Sequence, residues 1–215
     1  SDTLEGLSSM SSNSLLQWRG GRAAALDEIE AAHASVGGIG RGRRYATQQI
    51  NRAYAVLLAS EFRGFCRDLY SECMDCVVAT APPATRGVVR IQFLWGRTLD
   101  RGNPQAGGLG SDFGRFGVPF WADVYSLHAA NERRRQLLDE LIRWRNAIAH
   151  NDFDPANFGL NPVLHLAEVR GWRSALNGLC PAFDSVMRNH LTDMVGTAPW
   201  PPRCWSRPGP VPSRA

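Results

Sequence analysis

From about Arg43 to Ala79 the chain runs without a proline, with apolar residues recurring at helical spacing. It is bounded by Gly37-Gly38-Ile39-Gly40 before it and Pro82-Pro83 after it, so a long helix has to end there. Other segments share the pattern. Periodicity starts near Ser14, a good N-cap residue, and runs to about Val36. Val88–Leu99 reads as a short helix, and a further helix is expected from about Pro119 to His150, stopped by Asn151-Asp152-Phe153-Asp154-Pro155. Leu166–Val195 reads as the last helix, with Pro181 inside it as a kink or break. Residues 101–117 hold seven glycines or prolines and read as a long irregular loop. No segment reads as a strand. The expected fold class is all-α, an up-and-down helical bundle. Its expected organisation is a flexible N-terminus at 1–13, a helical domain at 14–195 and an extended Pro-rich tail at 196–215 that carries Trp200 and Trp205.

A chain of 215 residues, 44% hydrophobic, can bury a core without disulfides or metal. No apolar run is long enough to span a bilayer, and the N-terminus lacks a basic segment followed by an apolar one. A cytoplasmic protein is expected. All 24 basic residues are arginine, which excludes a lysine Schiff base, a P-loop lysine and a lysine general base. The net charge of +4 and a pI near 9.0 permit nucleic-acid binding without demanding it. Cys73 and Cys76 form a CxxC, but no second pair completes four zinc ligands, and in a helical pattern thiols act as small apolar residues. No metal or cofactor is expected.

The stretch Asn131–His150, NERRRQLLDELIRWRNAIAH, carries the candidate chemistry. On a wheel of about 100° per residue with Arg145 at zero, Leu138, Ala149 and Ile142 fall between about +20° and +60°. Leu141, Ile148, Leu137 and Trp144 fall between about −40° and −100°. Arg145 therefore sits in the middle of the apolar stripe, while Asn146, Asp139, His150 and Arg143 line one polar flank. A buried guanidinium needs a partner. Glu61 is centred in the same way among Ile50, Tyr54, Leu57, Leu58 and Phe65, so a Glu61–Arg145 contact is expected. Such a pair either fixes helix register or holds the arginine in place for a phosphate. Arg145 and His150 point about 140° apart on one ideal helix. They converge only if the last turn unwinds or if two copies of the helix pool their residues across a two-fold axis.

With these residues in view, the chain resembles the HEPN family. Its hallmark is an arginine, four to six intervening residues and a histidine, late in a helix of an α-bundle. Arg145-Asn146-Ala147-Ile148-Ala149-His150 fits the four-residue form, and Arg143 to His150 fits the six-residue form. YAVLLASEFRGFCRDLYSE resembles the helix that the family places against the motif, and LHLAEVRGWRSALNGLCPAFDSVM resembles its closing helix. The similarity spans roughly Arg43–Met194, and the subgroup it is most similar to is the one first noted beside L-PSP endoribonucleases.

The resemblance implies a metal-independent endoribonuclease, usually a homodimer with both motifs in one composite cleft, acting on RNA in toxin–antitoxin or antiphage systems. An antitoxin or defence-system partner protein is implied with it, and no membrane. It gives Arg145 the scissile phosphate, His150 the acid/base step and Asn146 the positioning of either. Glu61, Arg143 and Asp152 are supporting. In the subgroup silenced by adenylylation a tyrosine stands where this chain has Asp152, so that control is not expected. The alternatives are a catalytically silent HEPN module that binds RNA or a partner protein, and a structural helical adaptor.

Overall fold

Two carboxylates fix where the first helix begins. The computed structural model describes residues 11–36, 43–102, 105–160 and 162–200. Ser12 is buried, and its hydroxyl caps α1 (Asn13–Gln17) by accepting from Leu15 N at 3.0 Å. The Ser12 amide donates to Asp184 at 3.1 Å, and the amides of Asn13 and Ser14 donate to Glu72 at 2.9 and 2.7 Å. Negative charge at a helix N-terminus is stabilising. Residues 11–13 are thus tied down, and the helix starts one residue earlier than the sequence suggests. Residues 1–10 of the expected flexible segment lie outside the described residues.

α1 continues through a π-helical segment, Trp18–Arg22, into α2 (Ala23–Val36). The Gly20-Gly21 pair lies in this wider turn. α3 (Arg43–Thr80) is the long helix that the sequence announces. Then come α4 (Arg86–Leu94) and a 3₁₀ turn (Thr98–Asp100).

The expected loop at 101–117 is corrected: it contains a helix, α5 (Ala106–Gly114). Its glycines are poor helix formers, yet the segment buries Leu109 and Phe113 completely. Its buried Asp112 accepts from Thr98 N at 3.0 Å, Thr98 Oγ1 at 2.7 Å and Leu99 N at 2.8 Å. At Gly110 a Cβ would lie 2.8 Å from Trp121 Cδ1, so glycine there permits close packing rather than a turn.

The single helix expected over 119–150 is also corrected. It divides into α6 (Phe120–Leu127) and α7 (Ala130–His150). His128 is extended, its Nδ1 accepts from Ala130 N at 3.0 Å, and buried Asn131 ties the break to Val124 O at 2.7 Å. A helical turn, α8 (Pro155–Phe158), is capped by Asp154. α9 (Leu166–Val195) has the expected bounds and runs through Pro181 without a break. Gly196 ends it with φ +77°. Trp200 then folds back onto the body beside Cys76 and is 8% exposed, so 196–200 docks rather than extends. Trp205 and the rest of the tail lie outside the described residues.

The described residues form helices and no strand. α3, α7 and α9 enclose the core, with α1 and α2 packed along α3. Phe183 on α9 is the aromatic hub. Its ring lies 4.8 Å from Phe120, 5.5 Å from Trp121, 6.0 Å from Phe62 and 6.1 Å from Phe113. The helices are also cross-linked by charge: Arg173 of α9 reaches Asp27 of α2 at 2.6 Å and the Tyr54 hydroxyl of α3 at 3.1 Å.

Truncating the hub removes contacts to α3, α5 and α6 together. Phe183→Ala is expected to cost about 3–5 kcal/mol in urea denaturation; a loss below about 1 kcal/mol would show that the aromatic cluster does not hold the bundle.

Candidate functional site at the end of α7

The wheel derived from the sequence matches the packing of α7. Leu138, Leu141 and Ile142 are buried, and Leu137, Trp144 and Ile148 pack half-buried against the core. Ala149 and His150 emerge into solvent. The stripe is therefore consumed within the chain, against α3 and α9.

Asn151 gives α7 a defined end. It has φ 49°, in the left-handed region that asparagine tolerates better than most residues. Its amide donates to Ile148 O at 3.3 Å, and the Asp152 amide donates to Ala147 O at 3.0 Å. This is the Schellman pattern, which satisfies carbonyls left open at a helix end. Asp152 contributes here through its backbone, and its side chain is exposed. The helix is regular through His150, so the last turn does not unwind to bring Arg145 and His150 together.

The expected Glu61–Arg145 contact is corrected. Glu61 is held by Arg22, whose Nη1 donates to it at 2.6 Å, while Nη2 donates to Asp68 at 2.7 Å. Burial opposes the charge of Arg22, but the hydrogen bonds to Glu61 and Asp68 outweigh it and raise its pKa above the usual arginine value. Gly64 makes room for this clamp: a Cβ there would lie 2.3 Å from Arg22 Nη1. The misfit is one of height as well as partner. α7 ends near Arg52, whose guanidinium lies 4.9 Å from the ring of Phe153. Glu61 is nine residues further along α3, about 13 Å at the helical rise.

Among the described residues no carboxylate pairs with Arg145. Its Nη1 lies 3.5 Å from Asn146 Oδ1, and the side chain is half-buried where the apolar stripe reaches the surface. Arg143 is exposed. With Asn146, Arg135, Asp139 and the start of α5 it lines a recess of about 330 Å³. The structure thus gathers Arg143, Arg145, Asn146 and His150 on the last two turns of α7, places Asp152 just past them and leaves Glu61 elsewhere.

The same end of the bundle contains residues that the motif does not point to. Asn51 and Arg52 of α3, and His165 at the start of α9, lie there beside the linker that follows α7. Asn51 was legible only as a polar residue on the flank of the Glu61 arc. Phe153, Phe158 and Trp144 form an aromatic cluster beneath, with centroids 4.9–6.0 Å apart. The CxxC gives no comparable site. Cys73 is buried and its thiol is pushed well above the usual range by desolvation, and Cys76 donates to Pro199 O at 3.5 Å. Among the described residues no cluster of His, Cys, Asp and Glu is placed to hold a metal, and no helix is long and apolar enough to cross a membrane.

No family model matches the chain, and searches of curated proteins and of solved structures return no match.

The two arginines separate in a stability measurement. Arg22→Ala strands Glu61 in a half-buried position and is expected to cost about 1–3 kcal/mol. Arg145→Ala, with no carboxylate to strand, is expected to cost less than about 1 kcal/mol. The reverse order in chemical denaturation would place the internal ion pair on Arg145 after all.

Proposed function

We propose that the chain is a HEPN-type, metal-independent endoribonuclease whose active site forms between two copies. The observation that carries this reading is Arg145, a half-buried guanidinium at the mouth of an apolar stripe with no carboxylate to neutralise it. An arginine so placed presents its planar fork to a phosphate. Asn146 braces it, Arg143 adds a second exposed cation, and His150 stands in solvent at the helix end.

The chemistry follows from these groups. The 2′-hydroxyl attacks the adjacent phosphorus and the 5′-oxygen leaves, giving a 2′,3′-cyclic phosphate and a free 5′-hydroxyl. His150 takes the proton from the nucleophile or gives one to the leaving oxygen. Arg145 stabilises the charge that builds on the phosphoryl oxygens. Because α7 is regular to its end, one chain holds these two side chains about 140° apart. A two-fold axis beside the helix end brings Arg145 of one protomer to the His150 of the other. The isologous contact uses the exposed last turn of α7, since the apolar arc is already covered internally. The toxin or antiphage setting, an antitoxin or defence-system partner and a cytoplasmic location belong to the same reading through the HEPN resemblance.

The expected outcome is cleavage of single-stranded RNA in EDTA, with no cleavage of RNA bearing 2′-O-methyl groups. His150→Ala is expected to lose about a hundredfold or more in turnover while melting like the wild type, because the residue is exposed. Undiminished cleavage by His150→Ala removes the histidine from the mechanism. A folded wild type that binds RNA but cleaves none of a broad panel favours the silent module instead. Sedimentation is expected to give a dimer at micromolar concentration, and a monomer there would contradict the shared site.

A further inference from the structure

The largest well-formed recess on this end of the bundle lies outside the motif. It has a volume of about 490 Å³ and is lined by Thr47, Gln48 and Asn51 of α3 and by Val163, Leu164 and His165 of the linker and α9 start. That size falls in the range of small-molecule pockets, roughly 300–1,000 Å³. One of its polar groups is unusual. Asn51 is 5% exposed, and its Nδ2 donates to Leu164 O at 2.8 Å. That bond to a carbonyl fixes which way the amide faces, because an oxygen in its place would oppose another oxygen. Asn51 Oδ1 is left buried with no hydrogen-bond partner. A buried acceptor without a donor is costly, so a group that reaches it with an N–H gains more than one meeting a solvated oxygen.

The surroundings narrow the donor. Leu164 and Val163 give the recess apolar walls. His165 presents an imidazole at its rim, set in place by the capping box it shares with Glu168. Gln48 donates to Pro162 O at 3.1 Å and pins the same linker. A flat ring between apolar walls and an imidazole, with an N–H₂ projecting from its edge to a recessed oxygen, describes a nucleobase. Among the four RNA bases only uracil lacks an exocyclic amine. Its edge presents carbonyl oxygens, which would oppose Asn51 Oδ1.

We infer that this recess is a base-binding subsite that accepts a nucleobase with an exocyclic amine and discriminates against uracil. The choice of an RNA base as occupant rests on the ribonuclease reading above. Position supports it as well: Arg52, the next residue on α3, covers Phe153, three residues beyond His150, so recess and motif share one end of the molecule.

The test titrates the full chain with AMP, CMP, GMP and UMP, read by calorimetry and by the His165 imidazole resonances. AMP and CMP are expected to bind about tenfold or more tightly than UMP, the worth of one satisfied hydrogen bond against one lost. Asn51→Leu is expected to abolish that preference. Asn51 also holds the linker, so Val163→Trp, which fills the recess from its exposed rim, serves as the second variant and is expected to abolish binding with the fold intact. Equal binding of UMP, no binding of any nucleotide to the folded wild type, or full binding by Val163→Trp overturns the inference. The cleavage assay separates the two claims. Cleavage that depends on His150 but ignores the base, with no amine preference in the titration, removes the subsite and leaves the nuclease. Amine-selective binding by a chain that cleaves no RNA keeps the subsite and removes the nuclease.

Discussion

The bond between Arg22 and Glu61 decides the electrostatics of the candidate site. Glu61 sits among apolar residues on α3 and needs a cation. Had α7 supplied that cation, Arg145 would be a structural residue locked in an internal pair. Instead the π-helical turn after α1 delivers Arg22, which spans Glu61 and Asp68 across the surface of Gly64. A helix that packs along α3 thereby neutralises the carboxylate. The consequence appears at the far end of α3, where Arg145 retains an uncompensated charge. Because it lies partly sheltered beside apolar residues, that charge is screened less than one on an open surface. A phosphate placed there meets a stronger field than it would over a fully solvated arginine.

The end of α7 turns that charge into a geometric constraint. Asn151 in the left-handed region and the two Schellman hydrogen bonds stop the helix sharply after His150. The arginine and the histidine are then fixed to different faces of one rigid cylinder. Any chemistry that needs both on one phosphate must recruit the second residue from another molecule. Arg52 over Phe153 and the linker pinned by Gln48 and Asn51 keep this end ordered, which is what a site shared between two chains requires of each.

Much of this was legible in the sequence, for specific reasons. α3 and α9 were readable because their apolar spacing is long and their ends are marked by proline and glycine. The buried arc of α7 followed from the wheel alone. The Glu61 partner was not legible, because a wheel gives direction around a helix and not height along a neighbour, and Arg22 lay in a Gly-rich turn with no such pattern. α5 was missed since Gly107, Gly108 and Gly110 read as loop residues, whereas at Gly110 the missing side chain admits Trp121. The division at His128 was missed because no glycine or proline marks it; its determinants are the imidazole cap on Ala130 and the Asn131 amide. Asn51 carried no signal of its own, since its unpaired oxygen follows from where a distant linker carbonyl lies.

The central claim is that Arg145 and His150 act on one phosphate from two different chains. Subunit mixing tests it directly. His150→Ala and Arg145→Ala chains, each inactive alone, are dissociated together and allowed to reassociate. If the site is shared, half of the resulting dimers pair an intact arginine with an intact histidine at one of two sites, and activity returns to about a quarter of the wild-type level. If the mixture stays as inactive as its parents while mixed dimers are shown to form, the two residues do not meet across the interface and the account is wrong.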